Sequence, residues 1–187
     1  KIVSTTISPT VIQQWGSLGT GTTYSITGNT VGYWSFDEGE GNKAYDQSYR
    51  GAYYTKTGGS WVEARSGTGI ELDGTGSEYL GLNNRAYKGD YFTEFTAEFW
   101  IYLDSHDTSS NKMIFRSYSP EFRIEITTDG GFYIYVPQRR ISDSSCCYSQ
   151  SFYLGSTSDI TALEDDWHHI ALTYDGIDDK IEMYIDS

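Results

Sequence analysis

Hydrophobic and polar positions alternate with period two along most of this chain. After Trp167, His168, Ile170, Leu172 and Tyr174 alternate with His169, Ala171 and Thr173; further on, Ile181, Met183 and Ile185 alternate with Lys180, Glu182, Tyr184 and Asp186. Side chains in a strand point to opposite faces in turn, so each run predicts a strand with one buried and one open face. Asp175-Gly176 and Asp178-Asp179 supply turn chemistry between the two. This terminal hairpin predicts burial of Ile181, Met183 and Ile185, and a sheet partner on each side of their strand.

The clearest strand is Phe95 to Leu103. Phe95, Ala97, Phe99, Ile101 and Leu103 form its core face, and Thr96, Glu98, Trp100 and Tyr102 form the other. Lys112 to Tyr118, Glu121 to Thr127 and Gly131 to Val136 continue the pattern, with Thr128-Asp129-Gly130-Gly131 as a hairpin turn. Upstream, Tyr33 to Phe36, Gly51 to Lys56, Trp61 to Ala64, Gly69 to Leu72 and Tyr79 to Leu82 are short runs bounded by Gly, Asp or Asn. Close spacing with turn signals between predicts an all-β sandwich. Residues 137–166 form a long excursion with one strand expected at Ser151 to Gly155.

Composition sharpens this picture. Seventeen Tyr, eight Phe and five Trp beside twenty Gly and three Pro fit an aromatic-rich β protein with many turns. The length of 187 residues suits one domain with an appended arm. A net charge of −13 argues against nucleic acid and anionic membrane surfaces, which both require a basic footprint. No apolar segment approaches the roughly 20 residues that span a bilayer. The chain begins at Lys1 and not Met, which suggests a processed N-terminus and, as a hypothesis, an extracellular address. Cys146 and Cys147 are adjacent, so they are two reduced thiols, a strained vicinal disulfide or links to another chain.

Residues 1–30 differ from the rest. They carry one charge, Lys1, and sixteen of the thirty are Ser, Thr or Gly, around β-prone strips such as Ile2-Val3 and Thr5 to Ile7. They read either as an extended Ser/Thr/Gly-rich linker or as a strand that pairs with a sheet edge.

Several stretches together resemble a known family. Tyr33-Trp34-Ser35-Phe36-Asp37-Glu38-Gly39-Glu40-Gly41 with Asp46 is similar to the opening of a laminin-G-like, concanavalin A-like jelly-roll domain. Trp61 to Ala64, Gly69 to Gly74, Phe95 to Ile101 and Trp167 to Gly176 follow in family order, so the resemblance covers about residues 31–187. It implies an all-β, antiparallel two-sheet β-sandwich, the concanavalin A-like jelly roll, and a non-catalytic, secreted or cell-surface module for glycans or proteins, often with a structural Ca²⁺. Similar domains continue past the last hairpin through further strands; here the sequence stops at Asp186-Ser187, so the expectation is either that it is a fragment or that another segment fills that place.

Candidate chemistry follows from side chains. A glucanase on this fold needs two carboxylates on one strand face, as in ExDxxE; that motif is absent, so no enzymatic activity is expected. His168 and His169 lie in a strand, where packing and hydrogen bonding explain them. Asp37, Glu38 and Asp46, in Gly-rich turns that expose backbone carbonyls, are the candidate Ca²⁺ ligands. Trp100, Tyr102, Tyr133 and Tyr135 are the candidate aromatic platform for sugar rings, each a flat apolar face beside polar groups. The leading expectation is an extracellular recognition or adhesion module whose partner is a glycan or a surface protein. The alternative is a filament or surface-layer subunit whose copies join by donor-strand exchange through residues 1–30.

Overall fold

The computed structural model describes residues 2–8, 30, 32–48, 51–72, 78–82, 94–104, 109–117, 122–138, 148–155, 162–178 and 180–186. They form fourteen strands: β1 (Ile2–Ser8), β2 (Gly32–Trp34), β3 (Lys43–Tyr45), β4 (Tyr53–Thr57), β5 (Ser60–Glu63), β6 (Thr68–Glu71), β7 (Tyr79–Leu82), β8 (Glu94–Tyr102), β9 (Lys112–Ser117), β10 (Phe122–Ile126), β11 (Phe132–Gln138), β12 (Tyr148–Leu154), β13 (Trp167–Asp175) and β14 (Lys180–Ile185). A seven-stranded sheet has the order β14-β13-β8-β1-β6-β5, with β2 also on β1. The facing layer is split into a four-stranded sheet, β12-β11-β10-β9, and a three-stranded sheet, β3-β4-β7. All of these pairings are antiparallel. The architecture is a concanavalin A-like β-sandwich.

Alternation in β8 and β13 builds the core. Phe95, Ala97, Phe99 and Ile101 from β8 and Ile170, Leu172 and Tyr174 from β13 are buried. From the facing layer, Ile124, Ile126, Phe132, Ile134 and Val136 close the same cluster. Phe152 of β12 reaches Tyr174 across the layers at 6.0 Å between ring centroids. Trp34 packs on Tyr54 at 4.8 Å, joining the three-stranded sheet to the seven-stranded one. Truncating a fully buried ring such as Phe99 costs about 3–5 kcal/mol in cores of this kind.

The Tyr54 hydroxyl is buried without a hydrogen-bond partner. Burial first, and the Asp46 carboxylate second, push its pKa far above the ordinary tyrosine value, so it stays protonated.

Two expectations meet the structure here. β1, from the uncharged arm, is an interior strand of its own chain's sheet, with Thr5 opposite Phe99 and Ile7 opposite Ala97 on β8 and Thr5 opposite Trp34 on β2. It links β8 to β2 and β6. The expected flanking of the last strand is corrected: β14 pairs with β13 alone among the described residues and stands at the sheet edge. Ile181 is buried, but Met183 and Ile185 are half-buried, in line with an edge that no described strand covers. Cys146 and Cys147 lie outside the described residues.

Candidate functional site

The outer face of the seven-stranded sheet carries rows of rings, and strand register sets them. Opposite Tyr102 on β8 stands Trp167 on β13, and opposite Trp100 stands His169. Cross-strand partners on one face have their Cβ atoms about 5 Å apart, so these rings must touch. Tyr102 and Trp167 meet edge to face at 5.5 Å between centroids, and Trp100 and His169 at 5.1 Å. Such pairs contribute about 0.5–1.5 kcal/mol beyond area burial. Below them, His169 Nε2 lies 3.4 Å from a Glu98 carboxylate oxygen. Arg65, at the exposed tip of the β5–β6 hairpin, places its guanidinium carbon 3.8 Å from the Trp100 ring centroid.

The end of this face is tied to the last described residue. Asp186 accepts a hydrogen bond from the His169 backbone N–H at 2.9 Å, and its other carboxylate oxygen lies 2.6 Å from His168 Nδ1. Burial pulls the Asp186 carboxyl upward, but the hydrogen bonds from His168 and His169 and the pull of their charges outweigh it, so its pKa is lowered.

Tyr133 and Tyr135 are elsewhere. They lie on the outer face of the four-stranded sheet, on the far side of the sandwich from Trp100 and Tyr102. Their strand β11 alternates them with buried Phe132, Ile134 and Val136. The four expected rings therefore do not make one platform, because the two strands turn their open faces in opposite directions. Arg123 stands directly opposite Tyr135 on β10, and Glu125 opposite Tyr133. The Arg123 guanidinium is 5.2 Å from each tyrosine ring and 3.1 Å from Glu125, which also accepts from Asn111 at 3.0 Å. Tyr153 completes this face, its ring lying against Gly131.

The candidate metal ligands are each engaged by backbone. One Asp46 oxygen accepts from the N–H groups of Tyr33 and Ser48 at 2.9 and 2.8 Å, and the other accepts from the Ser48 hydroxyl at 2.8 Å. Glu38 accepts from the Tyr45 N–H at 2.8 Å, and its second oxygen is buried without a partner. Asp37 accepts from the Thr68 N–H at 3.2 Å. Asp46 staples the turn after β3 back to β2, and Asp37 and Glu38 staple the turn after β2 to β6 and β3. Among the described residues no group of three or more His, Cys, Asp or Glu side chains could together hold a metal ion. The same turn holds Phe36 at a φ of 59°, a costly conformation for a bulky residue, which the Thr68 hydroxyl supports by donating to the Phe36 carbonyl at 2.6 Å.

The comparison with protein families agrees with this layout. A family model, Laminin_G_3, described as the concanavalin A-like lectin/glucanases superfamily, matches residues 73–187, more than half of the chain. The chain belongs to this superfamily. No curated protein and no solved structure matches it. Membership supports a carbohydrate- or protein-binding module, and the matched segment contains β8 and β13, the strands that carry the ring pairs. Among the described residues, no helix is long and apolar enough to cross a membrane.

Residue-by-residue reading found Trp100 and Tyr102 but not Trp167, His169 or Arg65. Trp167 and His169 share the parity of Ala171 and Thr173, so pairing the two strands on paper would have brought them beside Trp100 and Tyr102. Arg65 gives no such signal, because its contact crosses an intervening strand.

Proposed function

We propose that this laminin-G-like domain is a non-catalytic, extracellular recognition module that binds a glycan on the outer face of the seven-stranded sheet. The observation that carries this is the pair of ring contacts, Tyr102 with Trp167 and Trp100 with His169. Packed rings are rigid, offer apolar faces to the C–H side of a sugar, and leave polar edges for its hydroxyls. Adhesion to a glycan-bearing surface is the role that follows for a secreted module of this kind.

Hydrolysis finds less support. It needs two carboxylates about 5–9.5 Å apart across the scissile bond. Glu98 is taken up by His169, and Glu125 is buried against Arg123. Glu94 and Asp175 stand opposite each other, but at the far end of the strands, where Asp175 accepts from the Ile177 and Asp178 N–H groups.

A glycan array followed by calorimetry tests the reading, with and without added Ca²⁺ to probe Asp37, Glu38 and Asp46. Tyr102→Ala and Trp167→Ala should each weaken binding by about tenfold. Binding that survives both substitutions would place the ligand elsewhere.

Assembly through β1 is a second reading. It is supported by the interior place of β1 and by the long connection, residues 9–31, that separates it from its own neighbour β2. A strand separated from its neighbour by that many residues can make the same pairings within one copy or between two. Ser8→Cys with Thr96→Cys, in a chain with both native cysteines replaced by Ser, traps the pairing seen between Ser8 and Thr96. Covalent multimers on a non-reducing gel would support exchange, whereas a monomer alone at every protein concentration would rule it out.

A further inference from the structure

We propose that Arg65 is a carboxylate-reading subsite, so that the glycan taken by the aromatic face is an acidic one, with a uronate placed over Trp100. This rests on the aromatic-face reading above and narrows it.

The chain has 26 acidic residues against 13 basic ones, so an exposed guanidinium here should readily find a carboxylate. Arg123 and Lys180 do, at 3.1 and 2.7 Å. Arg65 has no ion pair or hydrogen bond among the described residues; its contact is the Trp100 ring. Glu63, two residues before Arg65, is exposed and makes no ion pair with it among the described residues, and the carboxylates near the ring face are engaged elsewhere. Asp37 accepts from the Thr68 N–H, and Glu98 lies against His169.

Stacking on an indole fixes a guanidinium in space while leaving its N–H groups at the ring's periphery able to donate. A planar fork held in place loses little entropy on meeting a carboxylate, and the two match as a bidentate pair. The hairpin tip makes this possible: Glu63 pairs with Thr68, and Ala64 donates to the Gly67 carbonyl at 3.2 Å, which leaves Arg65 and Ser66 projecting from the turn. Gly67 has a φ of 64°, and a Cβ there would collide with the Asp37 carboxylate, so the tip is built for a residue without one.

The guanidinium covers one face of the Trp100 ring. A sugar lying against Tyr102 and Trp167 therefore meets a cation at its next contact and not a bare ring. A neutral glycan gains little there, whereas a uronate gains a charge-assisted pair.

Calorimetry on the full chain tests this with a short oligogalacturonate, its methyl ester, a sulfated neutral oligosaccharide of similar length and a short polyglutamate peptide. The acid should bind about tenfold more tightly than the ester, as expected for one hydrogen-bonded charge pair. Arg65→Gln should equalise acid and ester without moving the melting temperature, and Arg65→Lys should restore only part of the difference. Equal binding of acid and ester by the native chain overturns the proposal, as does a preference that survives Arg65→Gln. If Tyr102→Ala still weakens both sugars in that case, the aromatic-face reading stands without this one. Tighter binding of the sulfated sugar overturns the carboxylate assignment. Polyglutamate binding that ignores Tyr102→Ala overturns the glycan assignment, and no binding of any sugar overturns both readings.

Discussion

The two outer faces of this sandwich are built from the same parts and end in opposite states. Each sets an arginine against aromatic rings beside a glutamate. On the four-stranded sheet, Arg123 lies between Tyr133 and Tyr135 and is held by Glu125, whose side chain is 9% exposed. On the seven-stranded sheet, Arg65 lies on Trp100 while Glu98 pairs with His169 instead. The first arrangement is closed, with charge neutralised where it is buried. The second is open, with its cation unclaimed among the described residues. Finding arginine beside aromatics is therefore no sign of a site until the charge has been traced to its partner.

That difference should show most strongly in stability. Removing one partner of a buried ion pair leaves an uncompensated charge and costs about 3–5 kcal/mol. Arg123 is 27% exposed, so Arg123→Met should lose somewhat less, about 2–4 kcal/mol, read as a lower midpoint in chemical denaturation. Arg65→Met removes only an exposed cation–ring contact and should cost under about 1 kcal/mol. Equal losses in the two variants would erase the distinction between a closed face and an open one.

Much of the sandwich was legible because period-two alternation is a local signal. The open and core faces of Phe95 to Leu103 follow from nine residues read in order, and β8 has that pattern. The laminin-G-like signposts added the architecture. Alternation could not say which outer faces coincide, because that depends on how two sheets stack. Tyr133 and Tyr135 looked equivalent to Trp100 and Tyr102 for this reason. Nor could it show that β14 is an edge, since Met183 and Ile185 have the same sequence pattern whether or not a neighbour covers them. The carboxylates Asp37, Glu38 and Asp46 are close in sequence, but each points to a different backbone donor, a fact of turn geometry that spacing does not encode.

A smaller effect is expected where the closed face meets the backbone. Tyr153 stands opposite Tyr133 and lies so close to Gly131 that a Cβ there would be 2.4 Å from its ring tip. Tyr153 is half exposed, so its ring can swing outward. Gly131→Ala should then cost about 1 kcal/mol, the lower end for overpacking, and make Tyr153 more accessible to iodination or nitration. A loss of several kcal/mol would mean that the ring is fixed, and that this face is more rigid than its exposure implies.

The smallest effect separates the two faces by acid at the edge of the open one. Asp186 has a lowered pKa in the folded chain, so it contributes stability that is present above the ordinary aspartate value of about 3.9 and is lost as pH falls through its depressed folded value. The group is largely exposed, and solvent screening keeps the contribution local. The Asp186 N–H donates to the His169 carbonyl at 3.0 Å, which joins this carboxylate to the strand that carries the ring pair. Amide exchange at Asp186 and His169 should therefore accelerate as pH drops below about 3.9, after correction for intrinsic rates. In Asp186→Asn the acid-dependent part should vanish, because an amide cannot titrate, while the baseline exchange at neutral pH should rise. Retention of the same pH dependence in the Asn variant would trace it to a different carboxylate and detach the edge clasp from the ring-bearing face.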